Sequence, residues 1–251
     1  SAGESVVIEE FMEGEEASVL CFTDGNTIVP MISAQDHKRI SDGDMGANTG
    51  GMGAYAPAPV MTKELDKIVY DTILLPAVKA MKKEGCPFKG CLYAGLMITK
   101  DGPQVVEFNC RFGDPETEAI LPLLESDLAK IMLACTKGTL KKERVEWKNA
   151  CAVDIVLASE GYPATHSSGE EIVGLEEAKK TGCLVFHAGS MKKKGKYFVN
   201  GGRVLNVAAV APTLKEARDK AYEGVSKISW RGMQYRHDIA DKGLTRLKKR
   251  K

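Results

Sequence analysis

Apolar side chains recur along the chain in short alternating or continuous runs, the pattern of half-buried and buried β-strands. Asp24-Gly25-Asn26 is a tight turn that leads from one such run into residues 27–29, and Lys100-Asp101-Gly102 is a second turn of this kind. Each is predicted to close a hairpin. The run at 6–11 is predicted to be a buried strand. Further strands are predicted at 17–22, 90–99, 152–158, 184–187 and 204–210.

Apolar residues spaced three and four apart predict helices between these strands. Thr62 is a candidate cap for a helix that runs to residue 83, and Pro76 is expected to kink or split it. Thr213 and Glu216 have the spacing of a capping box at the start of another helix. Two more helices are predicted at 116–125 and 128–135.

A long loop is predicted over 42–59, and it contains the run Asn48-Thr49-Gly50-Gly51-Met52-Gly53. Long loops in compact domains are usually functional or disordered. Because Met45, Met52 and Tyr55 are apolar, we expect this loop to be ordered. Gly50 and Gly51 let backbone N–H groups approach an anion closely. The alternative interpretation is a flexible surface loop.

The stretch 104–116 begins as a strand and ends in the turn Gly113-Asp114-Pro115. Side chains alternate between the faces of a strand, so Val105, Glu107 and Asn109 are predicted to share one face. Glu107 and Asn109 offer a carboxylate and a carboxamide oxygen to one Mg²⁺, which binds oxygen ligands and shares substrate phosphates. Arg111 follows, and its planar fork suits phosphate or carboxylate. The alternative is an edge strand whose acid and amide are merely solvated.

Charged residues elsewhere suggest further contacts with a nucleotide. The acidic strand end Glu9-Glu10-Phe11-Met12 is a candidate adenine hinge, and its alternative is a solvated edge. Lys38 is predicted to face phosphates, although the polar run at 36–39 could equally be a solvated turn. His37 is not expected to be a base, because neighbouring cations would lower its pKa. Cys110 is predicted to point away from Glu107, into the core.

Composition narrows the classes of function. The chain of 251 residues has a formal net charge of +1, which argues against a general binder of nucleic acid or of membrane surfaces. Its 7 cysteines are scattered, which suits free thiols in a reducing cytosol. No apolar run is long enough to span a membrane and no secretory signal is evident, so we expect neither a membrane span nor secretion.

The character of the sequence changes near 147–150, and a domain boundary is predicted at residue 148. The predicted divisions are a first domain at 1–148, a small carboxy-terminal domain at 149–240 and a basic tail at 241–251. Because an apolar strand is predicted almost at the first residue, we expect the chain to be part of a longer protein.

Several long motifs, occurring together and in order, make the chain resemble the glycinamide ribonucleotide synthetase (phosphoribosylamine–glycine ligase) family of the ATP-grasp superfamily. The likeness runs from about residue 6 to about residue 238. The motifs are Ala34-Gln35-Asp36-His37-Lys38-Arg39, residues 48–55, Tyr93-Ala94-Gly95-Leu96-Met97, residues 107–116, Val185-Phe186-His187-Ala188-Gly189 and Asn200-Gly201-Gly202-Arg203-Val204-Leu205.

The resemblance implies an α+β fold: the carboxy-terminal half of an ATP-grasp domain, with an antiparallel sheet and helices, followed by a small α/β carboxy-terminal domain. It also implies a reaction. ATP phosphorylates the glycine carboxylate, and the amine of 5-phosphoribosylamine attacks the glycyl phosphate to give glycinamide ribonucleotide, ADP and phosphate. The implied cofactors are ATP and Mg²⁺ or Mn²⁺.

The same resemblance implies roles for individual residues. Glu107 and Asn109 match the metal ligands, while Glu9, Glu10, Phe11 and Met12 match the adenine hinge and Glu16 the ribose carboxylate. Lys38, Asn48, Gly50, Gly51, Arg111 and Asp114 fall where phosphates, glycine and phosphoribosylamine meet. The chain departs from the superfamily in one respect, because residues 93–98 carry no acid for a second metal ion.

The resemblance leaves several points open. The amino-terminal domain and the glycine-rich lid of the family have no counterpart here, so we expect a fragment that is inactive alone and that needs this missing part of the enzyme. Another ATP-grasp carboxylate–amine ligase, or a non-catalytic nucleotide-binding or assembly module, remains an alternative. A cytoplasmic location is expected, and fusion to other purine-pathway enzymes occurs in the family.

Overall fold

The computed structural model describes residues 4–249. The strands are β1 Glu15–Thr23, β2 Ile28–Pro30, β3 Gln35–Asp36, β4 Arg39–Ser41, β5 Met45–Asn48, β6 Gly53–Ala56, β7 Gly90–Thr99, β8 Gly102–Asn109, β9 Cys151–Ala158, β10 Ser168–Ile172, β11 Leu184–His187, β12 Ser190–Lys193, β13 Lys196–Asn200 and β14 Arg203–Ala211. The α-helices are α1 Lys63–Val69, α2 Leu75–Lys83, α3 Glu116–Ile120, α4 Leu128–Lys137, α5 Leu175–Lys180, α6 Leu214–Val225 and α7 Asp241–Lys249.

The first sheet has the strand order β2-β1-β7-β8, and neighbouring strands are antiparallel. Both predicted hairpins are present. In the β1–β2 turn, the carboxylate of Asp24 accepts hydrogen bonds from the N–H groups of Asn26 (3.0 Å) and Thr27 (2.7 Å), which explains the acid at that position. β8 lies at the edge of this sheet, so one side of its backbone has no ladder partner among the described strands.

The second sheet has the order β11-β14-β9-β6-β3 and is also antiparallel. The loop predicted over 42–59 is ordered, as expected, because its end forms β6 and pairs with β9. Strands from both sides of residue 148 thus share one sheet. The boundary at that residue stays a prediction. Because the described pairings are antiparallel, the architecture is α+β in both halves.

Three hydrophobic clusters fill the space around the two sheets. The helices α1 and α2 cover one face of the first sheet, where Val69 and Leu74 pack against β1 and β7. A second cluster, which includes Phe22 and Ile120, lies between the two sheets with α3 and α4. The third cluster packs α6 against the outer face of the second sheet. The two sheets are therefore joined through a shared core.

The helix that begins at Thr62 is capped by that side chain, whose oxygen accepts the N–H of Leu65 at 3.2 Å. It changes at Tyr70–Leu74 into a π-helical segment, immediately before Pro76 in α2. The predicted disturbance at this proline is confirmed. Proline has no N–H to give to the helix, and the widened turn accommodates this loss.

The prediction of a buried strand at residues 6–11 is wrong, whereas the basic tail at 241–251 stays a prediction. Residues 6–11 form no strand, and Val6 and Phe11 are 76% and 86% exposed, because no other segment of residues 4–249 covers these side chains. The described part of the predicted tail is the helix α7. It forms because Gly243 packs against Tyr55 and Arg246 pairs with Glu15, while residues 250–251 lie outside the described part.

Across residues 4–249, no helix is both long enough and apolar enough to cross a membrane.

Candidate functional site

A cavity of about 420 Å³ lies where β1, β7 and β8 meet the glycine-rich loop, residues 48–53. Its walls combine backbone and side chains from the first sheet with the polar run that follows Ala34. The predicted site residues that line it are Glu16, Lys38, Asn48, Gly50, Glu107 and Arg111. The fold therefore brings together residues that are far apart in the chain.

Glu107 and Asn109 lie on the same face of β8, as predicted, and the Asn109 amide donates to Glu107 Oε1 at 2.9 Å. The prediction that Val105 shares this face of the strand is wrong. Val106 is an extra residue in the ladder with β7, a β-bulge, and it lines the cavity beside Glu107. Cys110 is exposed and not in the core, because the edge strand β8 has little packed against it.

The donor set at this rim fits a hard cation, since a carboxylate and a carboxamide oxygen are the kind of ligand that Mg²⁺ takes. Within residues 4–249, no group of three or more His, Cys, Asp or Glu side chains could hold a metal ion. A cation at Glu107 and Asn109 would therefore need oxygen atoms from a substrate or from water to complete its coordination.

Lys38 lines the cavity and is hydrogen-bonded to the buried carboxylate of Asp36. Its Nζ donates to the carboxylate of Asp36 at 3.0 Å, and the N–H of His37 donates to the other oxygen of that carboxylate at 2.6 Å. The alternative interpretation of residues 36–39 as a solvated turn is therefore wrong, because Asp36 and His37 are buried. Burial, followed by the nearby Glu116 carboxylate, raises the pKa of Asp36, and the Lys38 ammonium opposes this shift.

His37 is buried beside this pair and is unsuited to act as a base. Burial lowers the pKa of its imidazole to about 4, and the cations Arg236 and Lys242 add to the shift. The ring is therefore neutral near pH 7 and lies against Tyr55, with ring centroids 5.7 Å apart. The sequence predicted that neighbouring cations would make His37 unsuitable as a base. In the structure the larger cause is burial, and the cations come second.

The inner end of the cavity contains polar groups that sequence reasoning missed. Ser18 and Tyr93 both donate to Glu116 Oε1 at 2.8 Å, and their own hydroxyl oxygens are 2.9 Å apart. They belong to β1, β7 and α3, so no local spacing connects them. The only available signal was that Tyr93 and Glu116 occur within the motifs at 93–97 and 107–116.

Gly51 lies directly behind Asp36 and has φ +120°, a conformation that favours glycine. A Cβ atom on Gly51 would lie 2.7 Å and 3.0 Å from the two carboxylate oxygens of Asp36. The loop therefore needs glycine here for steric as well as conformational reasons. Asn48, at the end of β5, is exposed and lines the cavity.

Arg111 lines the cavity and is exposed, with one Nη1 hydrogen bond of 2.9 Å to the carbonyl of Phe112. Asp114 does not line the cavity. Its Oδ1 forms an ion pair with Arg203 Nη1 at 2.9 Å, a contact made by the carboxy-terminal part of the chain. Arg203 was noticed only as part of the motif at 200–205, and its role in the site was missed.

The predicted adenine hinge lies apart from these residues. Glu10, Phe11 and Met12 line a separate cavity of about 600 Å³, together with the β7–β8 turn, and Glu9 lines neither cavity. Glu16, the predicted ribose ligand, follows the hinge in sequence. It belongs to β1 and lines the first cavity. The role of these residues stays a prediction.

Two sequence models of one family match the chain: the ATP-grasp (A) domain of phosphoribosylglycinamide synthetase at residues 1–117 and the C domain of the same enzyme at residues 152–242. The chain belongs to the phosphoribosylglycinamide synthetase family. The boundary predicted at residue 148 falls between the two matched segments.

Named relatives agree with this assignment. The chain is 54% identical over 248 residues to the trifunctional purine biosynthetic protein adenosine-3 of Gallus gallus, covering 98% of this chain and 25% of that protein. It is 51% identical over 249 residues to the chloroplastic phosphoribosylamine–glycine ligase of Arabidopsis thaliana, covering 97% and 47%. The crystal structure of phosphoribosylamine–glycine ligase from Thermotoga maritima superimposes with a TM-score of 0.81 at 40% identity, covering 92% and 57%. The chain therefore spans between a quarter and a little over half of the length of these relatives.

Proposed function

We propose that this protein ligates glycine to 5-phosphoribosylamine at the expense of ATP, giving glycinamide ribonucleotide, ADP and phosphate through glycyl phosphate. The observation that carries the proposal is the convergence of Glu107, Lys38 and Arg111 at one cavity beside the glycine-rich loop, with Asn109 hydrogen-bonded to Glu107. Phosphoryl transfer depends mostly on positioning and on neutralising charge, and this set supplies both. The ligase names of the relatives support the same reaction.

Glu107 and Asn109 would hold Mg²⁺ or Mn²⁺ together with nucleotide phosphates. The cation supplies neutralisation of phosphate charge when it is bound. Lys38, hydrogen-bonded to Asp36, adds a positive charge to the lining of the same cavity. Arg111 would contact the transferred phosphate or the glycine carboxylate, because its guanidinium can bind an oxyanion with two parallel hydrogen bonds.

The remaining predicted residues have supporting roles in this proposal. Backbone groups at Glu9–Met12 would hold adenine, and Glu16 would accept from the ribose hydroxyls. Asn48, Gly50 and Gly51 would line the path of the phosphates. Asp114 would lie near the substrate amines, with one carboxylate oxygen held by Arg203.

Location and fusion partners also belong to the proposal. We infer a cytoplasmic protein, and attachment to other purine-pathway enzymes is a further part of the hypothesis. The relatives differ in both respects, since the Arabidopsis protein is named as chloroplastic and the Gallus protein as trifunctional.

The test is ADP release by the full gene product with ATP, Mg²⁺, glycine and freshly prepared 5-phosphoribosylamine. Release should require both glycine and the amine. Glu107→Gln should lower kcat at least 100-fold and weaken the Mg²⁺ dependence, whereas binding of the bare nucleoside should change little. Glu143→Gln, at an exposed position outside the cavity, is the matched control.

Each alternative predicts a different result in this assay. Another carboxylate–amine ligase would release ADP with a different acid or amine and not with this pair. A non-catalytic module would bind Mg²⁺-ATP without releasing ADP. Unchanged turnover and Mg²⁺ dependence in Glu107→Gln would show that the metal assignment is wrong.

A further inference from the structure

The backbone N–H and the carbonyl of Gly50, in the glycine-rich loop, both form hydrogen bonds with the carboxy-terminal part of the chain. Its N–H donates to the hydroxyl of Tyr162 at 3.0 Å, and its carbonyl accepts from Arg203 Nη1 at 3.0 Å. These partners are 112 and 153 residues away in sequence. An exposed glycine loop would otherwise sample many conformations. Both of its polar backbone groups are instead occupied.

Arg203 connects this loop to the turn that follows β8. The same Nη1 atom donates to the backbone carbonyl of Asp114 at 2.8 Å and forms an ion pair with Oδ1 of its carboxylate at 2.9 Å. Gly50 lies against the plane of the guanidinium, where a Cβ atom would be 3.0 Å from Arg203 Cζ. One side chain thus sets the distance between the loop and the Asp114 turn, the two segments that flank the cavity.

Tyr162 is itself held in place by neighbouring residues of the carboxy-terminal part. The ring of Tyr162 packs against Gly202, where a Cβ atom would lie 2.9 Å from Cε2. The carbonyl of Tyr162 accepts from Gln234 Nε2 at 3.0 Å. Ser159 Oγ donates to the carbonyl of Gly201 at 2.9 Å. Gly201 and Gly202 of the motif at 200–205 thus help to position the Tyr162 side chain, and the same motif supplies Arg203.

We propose that Tyr162 and Arg203 are positioning residues of the ligase, and that they act through Gly50 and Asp114. Neither side chain lines the cavity, so neither is expected to touch a substrate. Their effect is to keep the loop and the turn in the arrangement that receives phosphates and the substrate amine. The inference rests on the proposed function, and it makes the carboxy-terminal part a component of the site.

The kinetic test uses the full gene product. Tyr162→Phe removes a single hydrogen bond and should lower kcat/KM about fivefold, the size of one neutral hydrogen bond. Arg203→Lys keeps the charge but loses the guanidinium plane that Gly50 packs against, so the expected loss is more than tenfold. Because both residues hold the same glycine, the loss in the double variant should be smaller than the product of the single losses.

Two matched controls separate positioning from general damage. Tyr235→Phe and Arg231→Lys change the same residue types in the carboxy-terminal part, at sites that do not contact the loop. They should leave kcat/KM within twofold of the wild type. Thermal midpoints of all variants should be measured in parallel. A purely structural role would lower the midpoint without changing kcat/KM per folded molecule, and that result would overturn the proposal.

Hydrogen exchange provides a readout that does not depend on catalysis. Tyr162→Phe should speed exchange of the Gly50 amide at least fivefold, while the amides of β9 stay unchanged. If the wild type shows no ligase activity, the proposed function fails, yet the exchange result still decides whether the loop is held. Wild-type kinetics and unchanged Gly50 exchange in both single variants would refute the inference.

Discussion

Individual acids near the site differ mainly in how much water reaches them. Glu107 is exposed on an edge strand, where a carboxylate stays solvated until a cation arrives. Asp154 on β9 is fully buried, and neither of its carboxylate oxygens has a hydrogen-bond partner within residues 4–249. Burial, followed by the charge of Glu118, raises the pKa of Asp154. The first acid is suited to bind a ligand, and the second affects stability.

Arg111 gives a prediction about catalysis. Arg111→Lys keeps a positive charge at the cavity but cannot form two parallel hydrogen bonds to an oxyanion. We expect kcat/KM for ADP release to fall at least tenfold. Arg144→Lys is the control, because its side chain is 88% exposed and pairs with Glu146. Wild-type kinetics in Arg111→Lys would contradict the assigned contact.

Asp154 gives a prediction about pH. Between the ordinary aspartate pKa of 3.8 and the raised value, the unfolded chain has lost a proton that the folded chain still holds. The free energy of unfolding therefore falls as pH rises through this window, by about 1.4 kcal/mol per pH unit for one group. Asp154→Asn removes this dependence, so its stability relative to the wild type should increase from pH 4 to pH 7.

The measurement for Asp154→Asn is chemical denaturation at several pH values. Asp101→Asn, in the exposed turn between β7 and β8, is the matched control. Parallel curves of unfolding free energy against pH for wild type and Asp154→Asn would show that Asp154 does not act in this way.

At the scale of elements, local signals in the sequence determined where helices and hairpins begin. The capping box at α6 is complete: the N–H of Glu216 donates to Thr213 Oγ1 at 3.2 Å, and Glu216 Oε2 accepts the N–H of Thr213 at 3.1 Å. These bonds satisfy backbone groups that a helix leaves without partners. Leu214 and Ala217 then pack this helix onto the second sheet.

Thr213→Ala removes the cap, and we expect the free energy of unfolding to fall by about 1 kcal/mol. Thr213→Ser keeps a hydroxyl at the same position and should retain most of the stability. Urea denaturation of the two variants checks this prediction. Equal losses in both would mean that the methyl group, and not the hydrogen bond, matters.

At the scale of the whole molecule, Arg236 links distant segments. Its side chain is 1% exposed and donates to Asp238 at 2.6 and 2.7 Å, to Asp44 at 3.0 Å and to the carbonyl of Arg39 at 3.0 Å. Although burial opposes the shift, the hydrogen bonds from Arg236 hold the pKa of Asp238 well below its usual range. The segment that precedes the glycine-rich loop is thereby tied to the carboxy-terminal part.

Arg236→Met should lower the free energy of unfolding by about 3 kcal/mol, because Asp238 loses its cation whereas Asp44 keeps Lys242. This value is at the lower end of the cost of breaking a buried ion pair, since both acids are partly exposed. Arg144→Met, at an exposed ion pair, should cost less than about 0.5 kcal/mol. A loss for Arg236→Met as small as that of the control would show that the network does not stabilise the fold.

The sequence by itself determined the local elements and much of the candidate chemistry. Turn residues and alternating patterns predicted β7 and β8, and the spacing of Glu107 and Asn109 predicted their shared face. These features depend on neighbours within a few residues. Tertiary structure alone decided that residues 6–11 lie outside the first sheet, that Cys110 is exposed, and that Tyr162 and Arg203 hold Gly50. Burial and long-range contacts depend on which surfaces pack together, and no local pattern carries that information.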